Sequence, residues 1–140
     1  MNIYFWIPIG ILVVLFAVTV YRKYRLVKNT GVTLENDHVT ILTDSSFEDM
    51  IDEGITLIDF WAPWCSPCKI LGPVINELAG EYEGKVKVCK LDVDDNGKTA
   101  RDMKIRGIPT VMIFQDGVIV GHFVGVKPKS VYKNALKKLL

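Results

Sequence analysis

Few residues in this sequence belong to the types that metal, nucleotide or nucleic-acid chemistry needs. Three cysteines and two histidines among 140 residues do not offer the paired ligand spacings of a structural zinc site, since His38 and His122 have no cysteine or histidine close in sequence. Three unevenly placed cysteines also exclude the disulfide framework of a small secreted scaffold. There is no glycine-rich phosphate loop, no internal repeat and no low-complexity stretch, so neither a cofactor nor a metal is expected. Residues 1–21 lack any charged side chain, and no acid precedes Glu35.

Charge is distributed in blocks. Arg22, Lys23, Arg25 and Lys28 follow the uncharged stretch; from Glu35 onward 13 Lys/Arg face 16 Asp/Glu. The net +1 therefore combines a basic collar with a mildly acidic remainder. Nucleic-acid binding, which calls for a basic patch or domain, is not expected.

Residues 3–21 are apolar or small apart from Thr19, with Pro8 and Gly10 inside the run. At about 1.5 Å per residue they span about 28 Å as a helix, close to the hydrocarbon thickness of a bilayer. Tyr4, Phe5 and Trp6 at one end and Tyr21 and Tyr24 at the other suit interfacial aromatic belts. Pro8 falls in the first turns, where a missing N–H does little harm. A cleaved signal peptide is the alternative; against it stand the absent basic n-region, the lack of a small-x-small site and the basic cluster after the run. The reading is a single transmembrane anchor over 1–24 and a polar tether over 25–37. The globular domain then occupies 38–140, about 105 residues, enough for a core without disulfide staples. The positive-inside rule places that domain in the cytoplasm, with the extracytoplasmic or periplasmic side as the alternative.

Hydrophobic patterning predicts β-α-β-α-β-α-β-β-α. Residues 39–42 read as a strand, and Thr43-Asp44-Ser45-Ser46 offers N-caps for a helix carrying Phe47, Met50 and Ile51 that stops at Gly54. The near-continuous apolar run 55–61 reads as a central strand covered on both faces. A 3.6-residue stripe (Ile70, Leu71, Val74, Ile75, Leu78, Ala79, Tyr82) predicts a helix over 69–83, kinked at Pro73. Strands over 86–94 and 110–115 flank a short helix over 98–104. Asp116-Gly117 predicts a tight hairpin into a strand over 118–124, and Val131, Tyr132, Ala135, Leu136 and Leu139 line a last helix. Alternating elements imply a parallel section, made mixed by the hairpin.

Between the central strand and the long helix lies Trp64-Cys65-Ser66-Pro67-Cys68-Lys69. A thiol where a helix begins meets free backbone N–H groups and the positive end of the helix dipole, which favour the nucleophilic thiolate. A second sulfur within one helical turn can close a disulfide with it. This pair is a candidate dithiol redox centre. Cys89 reads instead as a small buried hydrophobe in a strand.

Taken together, Asp59-Phe60-Trp61 leading into this motif, Pro73, Lys90, Gly107-Ile108-Pro109-Thr110 and Val124-Gly125 resemble the thioredoxin family over essentially all of 38–140. The resemblance implies an α/β thioredoxin fold, a mixed five-stranded central sheet with helices on both faces, to which the apolar run adds an N-terminal transmembrane helix. It implies protein-disulfide reductase activity, with disulfide-containing proteins as substrates and a thioredoxin reductase or membrane electron donor as partner, acting as a monomer. By resemblance Cys65 is the exposed attacking thiolate and Cys68 the less exposed resolving thiol. Asp59, on its residues alone a strand-end group reaching solvent, becomes a buried carboxyl beneath Cys68 with Lys90 nearby, its pKa raised by desolvation, serving Cys68 as proton carrier. Pro109 carries a cis peptide bond facing the cysteines, and Ile108 offers backbone for strand-like pairing with substrate. Trp64, Pro67, Val93, Gly107, Ile108, Val124 and Gly125 form a flat substrate-binding rim, Val93 and Val124 reading equally well as core.

Ser66 departs from the family, standing where cytosolic thioredoxins usually have glycine. A serine hydroxyl that hydrogen-bonds the Cys65 thiolate makes the pair more oxidising. The anchor is a second departure and leaves other roles open: an extracytoplasmic disulfide reductase or isomerase, service to cytochrome maturation, or a non-catalytic docking module with a thioredoxin fold.

Overall fold

The computed structural model describes residues 13–20 and 37–140. The chain divides into two units, residues 1–33 and 34–140. In the first, residues 13–20 form a helix, α1, with Val13, Val14, Leu15, Phe16, Val18 and Val20 all exposed. No helix among the described residues is long and apolar enough to cross a membrane. The remainder of the predicted 3–21 span, its aromatic flanks, the basic collar and the tether up to residue 36 lie outside the described residues.

The second unit runs β1 (Val39–Leu42), α2 (Phe47–Ile51), β2 (Ile55–Trp61), α3 (Ser66–Glu81), β3 (Lys87–Asp92), α4 (Gly97–Asp102), β4 (Thr110–Gln115), β5 (Val118–Val124) and α5 (Lys129–Leu136). The sheet order is β1-β3-β2-β4-β5. β1, β3 and β2 are parallel, while β4 and β5 pair antiparallel. This is the mixed five-stranded sheet that the element order predicts.

β2 has little choice but to be central. Six of its seven residues are buried, so neither face can be left to water. Its alternation sends Ile55 and Leu57 to one face, with Val88, Val111 and Ile113 under α3 and α5. Ile58 and Phe60 go to the other, with Phe47, Cys89, Leu91, Met112 and Phe114. Cys89 is fully buried and free of disulfide, and burial pushes its thiol up to about 12, partly offset by Lys87. The hairpin is closed by Asp116 (φ 49°) and Gly117 (φ 79°), the two left-handed positions that a type I′ turn demands.

The structure corrects several sequence readings. α3 begins at Ser66, not Lys69, so it takes in both Pro67 and Cys68, and it continues through Pro73 to Glu81. β3 ends at Asp92 because the Asp92 carboxylate turns back to accept from Asp94 N–H (2.9 Å). α4 likewise occupies Gly97–Asp102 and stops short of the predicted 104. Ser46 precedes α2 without capping it through its side chain; its Oγ accepts instead from Thr43 N–H at 2.9 Å. Asp44 works at a distance, accepting from Thr99 N–H (2.8 Å) at the start of α4.

α5 is fastened to α3 by charge as well as by its buried stripe. Lys129 pairs with Glu77 (2.7 Å) and Glu81, and Lys133 with Glu81 (2.9 Å). Replacing Ile75, fully buried between α3 and the sheet, with alanine is expected to lower unfolding free energy by roughly 2–5 kcal/mol. The exposed Ile41→Ala is expected to stay within about 0.5 kcal/mol; urea unfolding of the two variants measures both.

Candidate redox site around Cys65 and Cys68

The chain leaves β2 at Trp61 and re-enters helix at Ser66. Cys65 occupies the N-cap, with extended backbone (φ −81°, ψ 104°). Its Sγ accepts from the Cys68 N–H at 3.2 Å, one of the amide groups that the helix start leaves unsatisfied. Pro67 sits in the first turn, where its missing N–H costs nothing. Cys65 and Cys68 are joined as a disulfide with Cα atoms 5.3 Å apart.

In this disulfide form Cys65 and Cys68 are equally buried residues, each 3% exposed. Both are packed with Ala62 against Trp61, Val93 and Ile108. Ser66 is exposed, and among the described residues no hydrogen bond joins it to the Cys65 sulfur, whose donor is the Cys68 amide.

The rim comes from four segments of chain. Trp64 (67% exposed) is held by its indole N–H, which donates to Asp94 Oδ2 at 2.6 Å. Val93 follows β3, where its N–H donates to the Trp61 carbonyl (2.9 Å). Ile108 and Pro109 are joined by a cis peptide bond, as predicted. The Thr110 hydroxyl donates to the Gly107 carbonyl (2.7 Å), and Gly125 N–H donates to the Pro109 carbonyl (2.8 Å), which ties the end of β5 to this loop. Val124, opposite Thr110 in the register, is 56% exposed. Val124 is therefore not core, while Val93 is half-buried and packs against both the Phe60-side cluster and the cysteines.

Asp59 is 1% exposed. It lies beside Lys90 on β3 and Val111 on β4 in the sheet register, on the face that α3 covers. A Cβ added at Gly72 would sit 3.7 Å from Lys90 Nζ, so the ammonium lies beneath α3 one turn beyond Cys68. Burial lifts the Asp59 carboxyl from 3.8 to about 7, against the opposing pull of the Lys90 charge. Its Oδ1 has no hydrogen-bond partner. Lys90 is 5% exposed, with Nζ 5.9 Å from the Trp61 ring centroid. The structure thus brings Asp59, Lys90 and the two cysteines under and around the first turns of α3.

Sequence reasoning missed Asp94 as a site residue, having run it into the strand as its last member. The signal available was polar: Asp92-Val93-Asp94-Asp95 is too acidic to continue a buried strand. It also passed over Trp61, whose buried indole Nε1 has no hydrogen-bond partner.

A Cys-x-x-Cys disulfide capping a helix that starts at the end of a parallel strand defines a dithiol–disulfide oxidoreductase. A sequence model of the Thioredoxin family matches residues 38–138. The thioredoxins of Staphylococcus saprophyticus and Staphylococcus haemolyticus are each 48% identical over 99 residues, covering 71% of this chain and 95% of those proteins. The Staphylococcus aureus thioredoxin is 46% identical over the same extent. The chain belongs to the thioredoxin family, and its Cys65–Cys68 pair makes it a protein-disulfide reductase acting on disulfide-containing substrates and drawing on a reductase partner.

The raised carboxyl has a consequence for stability. Asp59 binds its proton more tightly folded than unfolded, so between about pH 4 and pH 7 the native state holds more protons and unfolding free energy falls as pH rises. Below that window the penalty vanishes; above it the penalty is full, on the order of 4 kcal/mol. Asp59→Asn is therefore expected to be more stable than the native protein at pH 8, with the difference closing by pH 4. Urea unfolding at the two pH values tests it.

Proposed function

We propose that this chain is a membrane-tethered thioredoxin that reduces protein disulfides on the cytoplasmic side of the membrane. The observation that carries the chemistry is the Cys65 sulfur at the α3 N-cap, accepting the Cys68 amide; the buried Asp59 carboxyl lies on the sheet face that α3 covers. The tether, over residues 1–24 and 25–37, rests on the uncharged stretch 1–21, the four basic residues after it and the exposed apolar side chains of α1.

In the reduced enzyme the Cys65 thiolate attacks one sulfur of a substrate disulfide. The substrate S–S bond breaks, a Cys65–substrate mixed disulfide forms and one substrate sulfur leaves as thiolate to take up a proton. Asp59, as carboxylate, accepts the Cys68 proton, directly or through water. The Cys68 thiolate then attacks Cys65 Sγ, the mixed disulfide breaks and the second substrate thiol departs. Two electrons have passed to the substrate, and the Cys65–Cys68 disulfide remains. A thioredoxin reductase or membrane donor returns two electrons and resets the pair. Lys90 tempers the Asp59 carboxyl, and the Lys69-side rim (Trp64, Ser66, Pro67) faces the substrate. Across from it, Val93, Gly107, Val124 and Gly125 complete an apolar seat. The backbone of Ile108, set by the cis bond to Pro109, pairs with the substrate chain as an added strand would.

In an insulin-type reduction assay, Cys65→Ser is expected to fall to the uncatalysed rate, and Cys68→Ser to accumulate the mixed disulfide. Asp59→Ala is expected to slow its release roughly 10²-fold; unchanged turnover near neutral pH would rule out the proton-carrier role. For compartment, a membrane-impermeant thiol reagent applied to intact cells is expected to spare Cys65. Labelling there would move the domain to the extracytoplasmic side, and recovery of the chain in the soluble fraction would remove the tether.

A further inference from the structure

α5 contributes a polar atom to the side of the core that holds Asp59. Tyr132 is fully buried, its ring standing edge-on to Phe123 with centroids 5.5 Å apart and planes at 82°. Its hydroxyl has no hydrogen-bond partner; the backbone of Lys127 lies beside it, outside hydrogen-bonding geometry. A phenylalanine would pack the same ring without a hydroxyl to desolvate, so this oxygen is a cost to the fold unless something in the core uses it.

The register places this hydroxyl on the face of the sheet that holds Asp59. Asp59 stands opposite Val111, and Val111 opposite Phe123. Residues directly opposite in a sheet share a face, so Asp59, Val111 and Phe123 make one row of side chains across β2, β4 and β5. Tyr132 closes the row at Phe123. On the other flank of Asp59, in the same row, stands Lys90. Asp59 Oδ1 and the Tyr132 oxygen are thus two unsatisfied buried atoms on one apolar face, one an acceptor when ionised and the other able to donate. The polar groups facing this region are Lys90 from β3, the Trp61 indole from β2 and Cys68 from α3, while β4 and β5 present Val111 and Phe123. The Tyr132 hydroxyl responds to the carboxyl: its pKa is raised first by burial and further by the Asp59 charge, with the Lys127 backbone opposing.

We propose that Tyr132 is a positioning residue for Asp59: its hydroxyl donates toward Oδ1 across one bound water, from the flank opposite Lys90. The inference rests on the reading of Asp59 as proton acceptor for Cys68. A donor on that oxygen stabilises the carboxylate, which readies Asp59 to take the Cys68 proton at a lower pH than burial alone would allow.

The test uses the full chain in its reduced state. The Asp59 carboxyl is titrated by its 13C resonance, and release of the mixed disulfide is followed against pH. Tyr132→Phe, which keeps the ring, is expected to move both midpoints up by about one pH unit, a tenfold slowing below the midpoint and none well above it. Tyr132→Leu is expected to move them in the same direction, and Tyr132→Phe to change nothing further once Asp59→Asn is present. Superimposed titrations for Tyr132→Phe and the native chain, with Asp59→Asn still altering the profile, would overturn the role of Tyr132 alone. A shift that survives in Asp59→Asn would overturn it as well. An Asp59→Asn profile identical to the native one would remove the proton-acceptor reading and this inference together. A purely structural hydroxyl would alter thermal stability and leave both midpoints in place.

Discussion

A carboxyl group in the middle of a central strand, closed off from water on every side, is the constraint around which this domain is arranged. Pairing on both edges of β2 and helices on both faces leave Asp59 no route to solvent. Its charge is therefore opposed by desolvation and favoured by Lys90, one strand away. The balance leaves the group near neutrality, where a small change in its surroundings alters its protonation. A surface aspartate at the same sequence position would be permanently ionised and of little use as a base for a thiol.

The redox pair depends on the same architecture. Parallel pairing of β2 with β3 brings the end of one strand next to the end of the other, where ligand and substrate sites of parallel sheets gather. From β2 the chain turns into α3, and Cys65 becomes the N-cap. From β3 it turns at Asp92, which delivers Val93 to the rim and Asp94 to the Trp64 indole. The antiparallel β4–β5 hairpin brings the Ile108–Pro109 loop and Val124-Gly125 to the opposite side, bonded through Gly125 N–H to Pro109. Two strand directions in one sheet are what allow a helix start and a proline loop to share the site.

Local pattern was a good guide wherever burial was two-sided or a turn was short. β1, β2, β4 and β5 fall where their apolar runs and the Asp116-Gly117 pair place them, although the β4–β5 pairing shifts register between Ile113 and Phe114. It was a poorer guide at boundaries set by single hydrogen bonds. Ser46 looks like an N-cap by type but serves Thr43, and the capping of α4 by Asp44 spans 55 residues, beyond any local window. The start of α3 was placed late because the hydrophobic stripe begins at Ile70, while the helix is begun by the exposed Ser66-Pro67 pair. The equal burial of Cys65 and Cys68 was also out of reach, because it is Trp61, Val93 and Ile108 from three separate segments that cover them.

The sequence by itself determined the dithiol, the order of elements and the family, because these are carried by residue type and spacing over short stretches. It also marked residues 1–21 as uncharged, a property of composition alone. Residue type alone read Asp59 as a strand-end group and only the resemblance implied its burial; only the tertiary structure decided that Val124 faces outward and that Trp64 is held by Asp94. Only there does the Tyr132 hydroxyl, 73 residues away in sequence, come to close the row that begins at Asp59. The reason is that burial and electrostatic environment are properties of neighbours brought together across the sheet, and no single stretch of chain contains them.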